Sequence, residues 1–192
     1  MIFIKKTNSK NQAFSFLETI LSILIISILL NFAFIKYQNA KIKQAILEAK
    51  LKINDAFFYS SISSLQNHNI HSIQFDLIRK KIFILDTFQK KLKEITLPKN
   101  LLYYHTSSSL SNIININLTK NGNISQSFSI YIFNNKKYVE YKISFYGFDR
   151  SKFLKINNYK HVGKNIHLNE ISNYHKYTNE DREEFYTDWR KE

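Results

Sequence analysis

The sequence contains no cysteine, and it has only one proline and three glycines among its 192 residues. Without cysteine the chain has no disulfide framework and no thiol chemistry. Three glycines are too few for the loops that cradle phosphate groups, and no nucleotide-binding fingerprint or nucleophile elbow occurs. We therefore expect no enzymatic activity.

Histidine and acidic residues do not form a recognisable metal-binding pattern. His68 and His71 are three residues apart, and His161, His167 and His175 lie near the C-terminal end. Metal sites need convergent ligands at defined spacing, and neither an HExxH-like arrangement nor a calcium-loop spacing occurs. We expect neither a metal site nor another cofactor.

A long apolar run, from Phe14 to Ile35, dominates the N-terminal part of the sequence. It contains 22 residues with one charge, Glu18, and neither proline nor glycine. As a helix rising about 1.5 Å per residue it would reach about 33 Å, enough to cross a bilayer core of about 30 Å. The alternative is a cleaved secretory signal, whose apolar region is usually about 7–15 residues long and ends in a small-x-small site. This longer run leads instead into Lys36, so we predict a membrane span that contacts lipid.

Positive charge flanks this run on both sides. The formal net charge is +13, and residues 36–154 carry 18 basic and 7 acidic side chains. The short lysine-bearing leader is of the kind that usually stays in the cytoplasm. We therefore expect a single-pass protein of the cytoplasmic membrane with residues 36–192 outside the cytoplasm.

Glu18 is the one ionisable residue within the run. Such a group costs about 2–3 kcal/mol by insertion scales, and it therefore calls for a partner or a function. Glu18 lies one turn inside the predicted helix, where it could also reach headgroup water and favour the positive helix end. Taken alone, Glu18 leaves both interpretations open.

The residues around Glu18 form a more specific pattern. A lysine-bearing leader ends in Ala13, Phe14 follows, and Glu18 is the fifth residue counted from Phe14. Residues 5–38 thereby resemble the prepilin-type signal of type IV pilins and type II secretion pseudopilins. The resemblance implies cleavage between Ala13 and Phe14 by a prepilin peptidase, N-methylation of Phe14 and a role for Glu18 in assembly with other subunits. The family usually has glycine before the cut, where this chain has Ala13.

Beyond Lys36 the sequence predicts an amphipathic helical stem. No glycine or proline occurs between Phe14 and Leu97, so nothing local ends the helix at the membrane surface. We expect the helix to end near residues 60–64. Its apolar positions recur at three- and four-residue spacing and predict one buried face: Ile42, Ala45, Ile46, Ala49, Ile53, Ala56 and Phe57.

The following residues alternate as antiparallel strands do. We expect strands at 72–78, 82–85, 93–97, 113–118, 124–133 and 137–148, with a turn at Asn121-Gly122 and a weaker turn signal at Asn134-Asn135. Alternation predicts three inward sets, which can cover the stem: Ile114, Ile116 and Leu118; Phe128, Ile130 and Ile132; Val139, Tyr141, Ile143 and Phe145. The predicted fold is α+β, a long N-terminal helix packed on an antiparallel β-sheet. This element order resembles the body of minor pseudopilins of the GspH/FimT-like type.

After Phe153 the pattern loosens into polar sequence. We expect residues 155–192 to form a solvated, partly ordered extension with a short helix at 178–186. The alternative is that this segment pairs with a neighbouring subunit.

Lysine clusters in the middle of the chain raise the possibility of nucleic-acid contact. The cluster Lys90, Lys91 and Lys93 is joined by others at 79–81 and 136–137, and tyrosines lie between them at 103, 104 and 138. Phosphate contact and base stacking use these residue types. A solvated lysine-rich surface is the alternative interpretation.

The sequence thus predicts a minor pilin or pseudopilin subunit, processed by prepilin peptidase and assembled into a type IV pilus or a secretion or competence pseudopilus. A DNA-binding minor pilin for DNA uptake and an uncleaved single-pass anchor with an unrelated ectodomain remain open. The predicted segments are a leader, a transmembrane helix, the stem, a sheet body and a polar C-terminal extension, at 1–13, 14–35, 36–65, 66–154 and 155–192.

Overall fold

The computed structural model describes residues 10–69, 71–107, 111–147, 154–176 and 187–192, with side chains from Ser15 onward. Most of the predicted leader and the helix predicted at 178–186 lie outside these residues. The elements are α1 (Lys10–Asn67), β1 (Ser72–Asp76), β2 (Lys81–Leu85), β3 (Lys91–Thr96), β4 (Leu102–His105), β5 (Ile113–Asn117), β6 (Phe128–Phe133), β7 (Val139–Tyr146), β8 (Lys155–His161), α2 (Ile171–His175) and β9 (Trp189–Lys191).

The chain divides into two compact units, Met1–Lys41 and Ile42–Glu192. In the first unit the described residues are helical, and every side chain from Ser15 to Ile35 is exposed. Within the described part of the chain, one helix, Ser15–Asn67, is long and apolar enough to cross a membrane by length and composition.

In the second unit, α1 buries the face that the sequence predicts. Ala49, Ile53, Ala56 and Phe57 are fully buried, and Ala45 is nearly so. The helix extends to Asn67, slightly beyond the expected end. Within the buried face, the Ser60 hydroxyl donates a hydrogen bond to the Ala56 carbonyl. His68 then adopts a φ of +50°, a left-handed conformation that commonly follows a helix.

Nine described strands form two antiparallel sheets. The first sheet has the order β3-β2-β1-β5, and the second has the order β4-β6-β7-β8-β9. The predicted α+β class, a long helix packed on antiparallel sheet, is confirmed. The expectation of one sheet is wrong, because β5 pairs with β1 and β6 pairs with β4 and β7.

The chain passes between the sheets at the Asn121-Gly122 turn. Gly122 has a φ of +72°, and its N–H donates to the Thr119 carbonyl. A Cβ at Gly122 would lie 2.4 Å from the Ser61 carbonyl oxygen, so glycine is required by both conformation and space. Leu118 and Ile124 form an isolated bridge across the turn, and the chain then continues in separate sheets as β5 before the turn and β6 after it.

One hydrophobic core joins the stem to both sheets. Phe57 lies in its centre, with its ring centroid 4.1 Å from that of Phe145 and 5.9 Å from that of Phe128. The three predicted inward sets lie in this core, except for Val139. Val139 faces a second cluster because the β6–β7 register shifts at Phe133, and a one-residue shift reverses the face of a strand.

The prediction that residues 155–192 form a solvated extension is wrong for its described part. Residues 155–161 form β8, which pairs with β7, and β9 pairs with β8. A strap, defined as residues 162–176 and 187–188, packs Ile166 and Ile171 against Tyr131, Phe133, Val139 and Trp189 of the second sheet. The second sheet is therefore covered on both faces. Strand β8 has a polar sequence, and it is ordered by its backbone pairing.

Candidate functional site

The prepilin-like pattern lies near the start of the described helix. Ala13 and Phe14 belong to α1 by backbone, while their side chains lie outside the described residues. Glu18 is exposed on the same helix. The proposed cleavage between Ala13 and Phe14, the methylation of Phe14 and the assembly role of Glu18 stay predictions.

Other polar side chains in the apolar part of α1 are satisfied within the helix. Thr19 and Ser22 donate hydroxyl hydrogen bonds to the carbonyls of Ser15 and Glu18, at 2.7 and 2.8 Å. Ser27 and Asn31 each donate likewise to a carbonyl four residues earlier. Within the described part of the chain, no side-chain partner contacts the Glu18 carboxylate. Glu18 therefore differs from its polar neighbours in lacking an internal partner.

An apolar stripe that was not predicted from the sequence lies on the solvent side of the stem. This stem stripe consists of Leu47, Leu51, Phe58, Ile62 and Leu65, each 45–53% exposed. At about 100° per residue, the five positions fall within an arc of about 60°, roughly opposite the buried face. The same helical periodicity that predicts the core face would have revealed this second stripe. A helix with two apolar stripes is suited to packing on two partners, of which the sheets supply one.

The lysine cluster at Lys90, Lys91 and Lys93 lies on the β2–β3 hairpin. The Glu94 carboxylate accepts hydrogen bonds from Lys91 and from Lys81. These two cations hold the pKa of Glu94 down at about 2. Two of the three predicted contact lysines also cover aromatic rings, with Lys91 4.6 Å from the centroid of Phe83 and Lys93 5.0 Å from that of Tyr59. The three lysines therefore lie on one hairpin, but two of them already contact other side chains of the same chain.

Of the three tyrosines that could stack on bases, Tyr103 is not available. Tyr103 is buried, its hydroxyl donates to the Pro98 carbonyl, and burial raises its pKa. Tyr104 is half-buried against the second cluster. Tyr138 meets the ring of His167 edge-on. The predicted stacking surface is wrong for Tyr103, whereas DNA contact by Lys90, Lys91 and Lys93 stays a prediction.

The described histidines lie apart from one another. His71 contacts Ser63, His161 lies against Trp189, and the Nδ1 atom of His175 is 2.8 Å from the Tyr131 hydroxyl oxygen. Burial, together with nearby Lys142, lowers the pKa of His175. Within the described ranges, no group of three or more metal-ligating side chains converges.

A lysine enclosed by aromatic rings is the least expected feature of the second sheet. Lys142 on β7 is only 7% exposed, and its ammonium lies 5.7, 5.4 and 5.7 Å from the ring centroids of Tyr131, Tyr159 and Trp189. Burial lowers the pKa of Lys142 to about 8. This site could not be predicted from the sequence, because Trp189 lies 47 residues after Lys142 in a segment expected to be solvated.

The C-terminal part of the chain also contacts the stem. The Glu192 carboxylate accepts a hydrogen bond from Lys50 on α1 at 2.6 Å and another from the Tyr141 hydroxyl at 2.5 Å. These donors lower the pKa of Glu192. Stem, second sheet and C-terminal segment therefore meet at one carboxylate.

Comparison with known proteins gives a limited result. No protein-family model matches the chain, and no curated protein matches it. Among solved structures, the minor pseudopilin EpsH from the type 2 secretion system of Vibrio cholerae is similar, with a TM-score of 0.42 and 12% sequence identity over 57% of this chain and 95% of that one. A likeness at this level does not by itself assign a function.

Proposed function

We propose that the chain is a minor pilin or pseudopilin subunit whose role is mechanical and structural. In this proposal the apolar part of α1 spans the cytoplasmic membrane once, the second unit lies outside the cytoplasm, and prepilin peptidase cleaves after Ala13. Phe14 is then methylated, and the subunit joins other subunits through its helix and Glu18. The resemblance of residues 5–38 to prepilin signals and the α+β architecture support the proposal.

The single observation that carries the proposal is the stem stripe. Its five side chains include a phenylalanine and four leucine or isoleucine residues, and about half of each is open to water. Burying such a side chain fully is worth about 1.5–3 kcal/mol, so a stripe of this size favours association. Its three-, four- and seven-residue spacings match the ridges by which helices pack on one another. A second helix is therefore the partner that this surface fits best.

Changing the stem stripe should block assembly without unfolding the protein. Leu51 and Phe58 are half exposed on the face away from the core, so we expect Leu51→Glu with Phe58→Glu to leave the circular dichroism spectrum and the melting transition intact. The fraction of subunit recovered in fibres, or crosslinked to pilin partners, should fall by about tenfold or more, the factor that corresponds to about 1.4 kcal/mol. Quantitative immunoblotting of sheared fibres and crosslinked membranes measures it.

Val162→Glu is the matched control, because Val162 is equally exposed but lies on the strap. It should assemble at the wild-type level. Wild-type assembly of the double variant would contradict a packing role for the stem stripe.

Processing gives an independent prediction. Mature protein extracted from the native host should begin at N-methylated Phe14, and Ala13→Gly should be processed at least as completely, because glycine is usual at this position in the resembled family. N-terminal sequencing and intact mass measure both. Protein that retains Met1 in bulk would favour the alternative of an uncleaved single-pass anchor.

A further inference from the structure

The turn between β2 and β3 presents an exposed aromatic side chain. This Phe88 turn, residues 86–90, connects Leu85 to Lys91, and the ring of Phe88 is 90% exposed. Among the described large hydrophobic side chains outside the first unit, none is more exposed. Isolated apolar residues at a surface are common, so exposure alone does not identify a contact site.

The conformation of the Phe88 turn is fixed by hydrogen bonds. The Asp86 carboxylate accepts hydrogen bonds from the backbone N–H groups of Phe88 and Lys90, at 2.9 and 2.8 Å. The backbone of Asp86 also bonds to Lys90 and Gln89. Gln89 has a φ of +61°, which is unfavourable for a residue other than glycine. A turn that is held so firmly presents its aromatic ring at little further entropic cost on binding.

A second apolar side chain lies beside the turn. The register of β2 and β3 shifts between Ile84 and Leu85, so that Leu92 is the extra residue of a bulge. Leu92 is 46% exposed. Bulges commonly redirect a side chain at the edge of a sheet. This end of the hairpin, the projection, carries two exposed apolar side chains, Phe88 and Leu92.

Fewer lysine side chains around this projection are free to bind a partner than the sequence suggests. Lys91 is paired with Glu94, and Lys93 lies over the ring of Tyr59. In the part of the chain that the structure describes, the Lys90 ammonium has no partner, and this side chain is exposed. The projection thus combines two apolar side chains with one uncommitted cation.

The projection lies at the end of the second unit where α1 ends. The Lys52 ammonium donates to the Thr96 carbonyl at 2.8 Å, and Lys93 lies over Tyr59. Strand β3 therefore runs in the direction opposite to α1, so that the step from Thr96 back to Lys93 leads towards the C-terminal end of α1. The Phe88 turn precedes β3 and lies further in the same direction. The stem stripe belongs to α1 itself, whereas the projection belongs to the β2–β3 hairpin.

We propose that the Phe88 turn docks into an apolar pocket of a partner protein that has an acidic side chain at its rim. A nucleic acid is disfavoured because binding its backbone needs several free cations. A lipid surface is disfavoured for the same reason, since attraction to anionic headgroups is worth about 1 kcal/mol for each basic residue. Aromatic residues, Phe among them, are instead enriched at protein interfaces, and an acidic rim would complement the charge of Lys90. This inference does not depend on the proposed function.

Photocrosslinking tests the proposal in the full chain in its native host. Benzoylphenylalanine at position 88 should give one covalent adduct with a protein of defined mass, identified by mass spectrometry. The same label at Ile78, which is 71% exposed in the β1–β2 turn at the opposite end of β2, is the matched control and should not give this adduct. Adducts only with lipid or nucleic acid, an equal adduct from position 78, or no protein adduct would each overturn the proposal.

Direct binding then tests the chemistry of the contact. The identified protein, once purified, should bind the full chain in detergent, and Phe88→Ser should weaken this binding by about tenfold or more. Lys90→Glu should weaken it less and should make the remaining binding less sensitive to salt, because the pairing with an acidic rim is lost. Ile78→Ser should have no effect. Unchanged affinity for Phe88→Ser would show that the aromatic ring is not the anchor.

Discussion

Glu18→Ala is expected to leave membrane insertion and cleavage intact and to reduce incorporation into a fibre by about tenfold or more. Insertion should survive because the substitution makes the apolar run more apolar. Incorporation should fall because cleavage would create an amine at Phe14, and the prepilin resemblance implies that a neighbouring subunit's Glu18 meets it. A charge buried without its partner costs several kcal/mol, whereas a paired charge need not.

Glu18 differs from the neighbouring polar side chains of its helix in having no partner among the described residues. Thr19 and Ser22 satisfy their hydroxyl groups on the backbone of the same helix, and no described side chain does so for Glu18. Thr19→Ala is therefore the matched control, since it removes a neighbouring polar group that is already satisfied. We expect this control to assemble normally. Glu18→Ala protein that crosslinks to its pilin partners at the wild-type yield would show that Glu18 only faces the headgroups.

Raising the pH from 7 to 9.5 is expected to stabilise the second unit. Burial lowers the pKa of Lys142 from 10.5 to about 8, so the native state binds fewer protons than the unfolded state between these values. The full cost of burying the charge, about 3 kcal/mol, is present below pH 8 and is released as the pH rises towards 10.5. Over pH 8–9.5 the gain in the free energy of unfolding should be about 2 kcal/mol. Above about pH 10 the raised pKa values of Tyr103, Tyr131 and Tyr141 act in the opposite direction.

Lys142→Met isolates the contribution of the Lys142 charge to the free energy of unfolding. Methionine preserves an unbranched apolar side chain among the rings of Tyr131, Tyr159 and Trp189, so we expect a more stable protein at pH 7 without the rise at higher pH. Urea unfolding of the full chain in detergent, followed by the fluorescence of the single tryptophan, Trp189, measures both proteins. Marked destabilisation by Lys142→Met at pH 7 would instead show that attraction between the ammonium and the rings outweighs the cost of burial.

The stem could be predicted from the sequence because its core face has helical periodicity over several turns. Ala49, Ile53 and Ala56 fall at the spacing that one helix face requires, and all are buried. Strands such as β1 and β5 were recognised by alternation for the same reason. The division into two sheets could not be predicted, because alternation gives the face of a strand but not its neighbour.

The last third of the chain shows where local pattern fails. In β8 the sequence Lys-Ile-Asn-Asn-Tyr-Lys-His has little apolar content, and the strand forms through its backbone pairing with β7. In the middle of the chain, strand β4 is likewise absent from the predicted strands. The adjacent residues Leu101, Leu102, Tyr103 and Tyr104 do not alternate. The face of Val139 was wrong because a register shift cannot be seen in one strand alone.

The candidate functional surfaces could also be predicted only in part from the sequence. The position of Glu18 in the prepilin-like pattern was visible in the sequence, as was the grouping of Lys90, Lys91 and Lys93. That Lys91 is paired and Tyr103 is buried depends on contacts between distant segments, which residue type and spacing do not encode. The exposed state of Phe88 depends in turn on a five-residue loop whose conformation Asp86 fixes.

The unequal covering of the two sheets has a consequence for how the protein tolerates change. On the open side of the first sheet, Gln74 and Asn115 form an exposed cross-strand hydrogen bond, and the side chains of β3 are mostly exposed. In the second sheet, the strap and the stem leave β6 buried along its whole length. Substitutions should therefore be tolerated on the outward face of the first sheet and much less on β6. Immune recognition or engineered ligands directed at this protein would meet a variable face and a constant framework within the same unit.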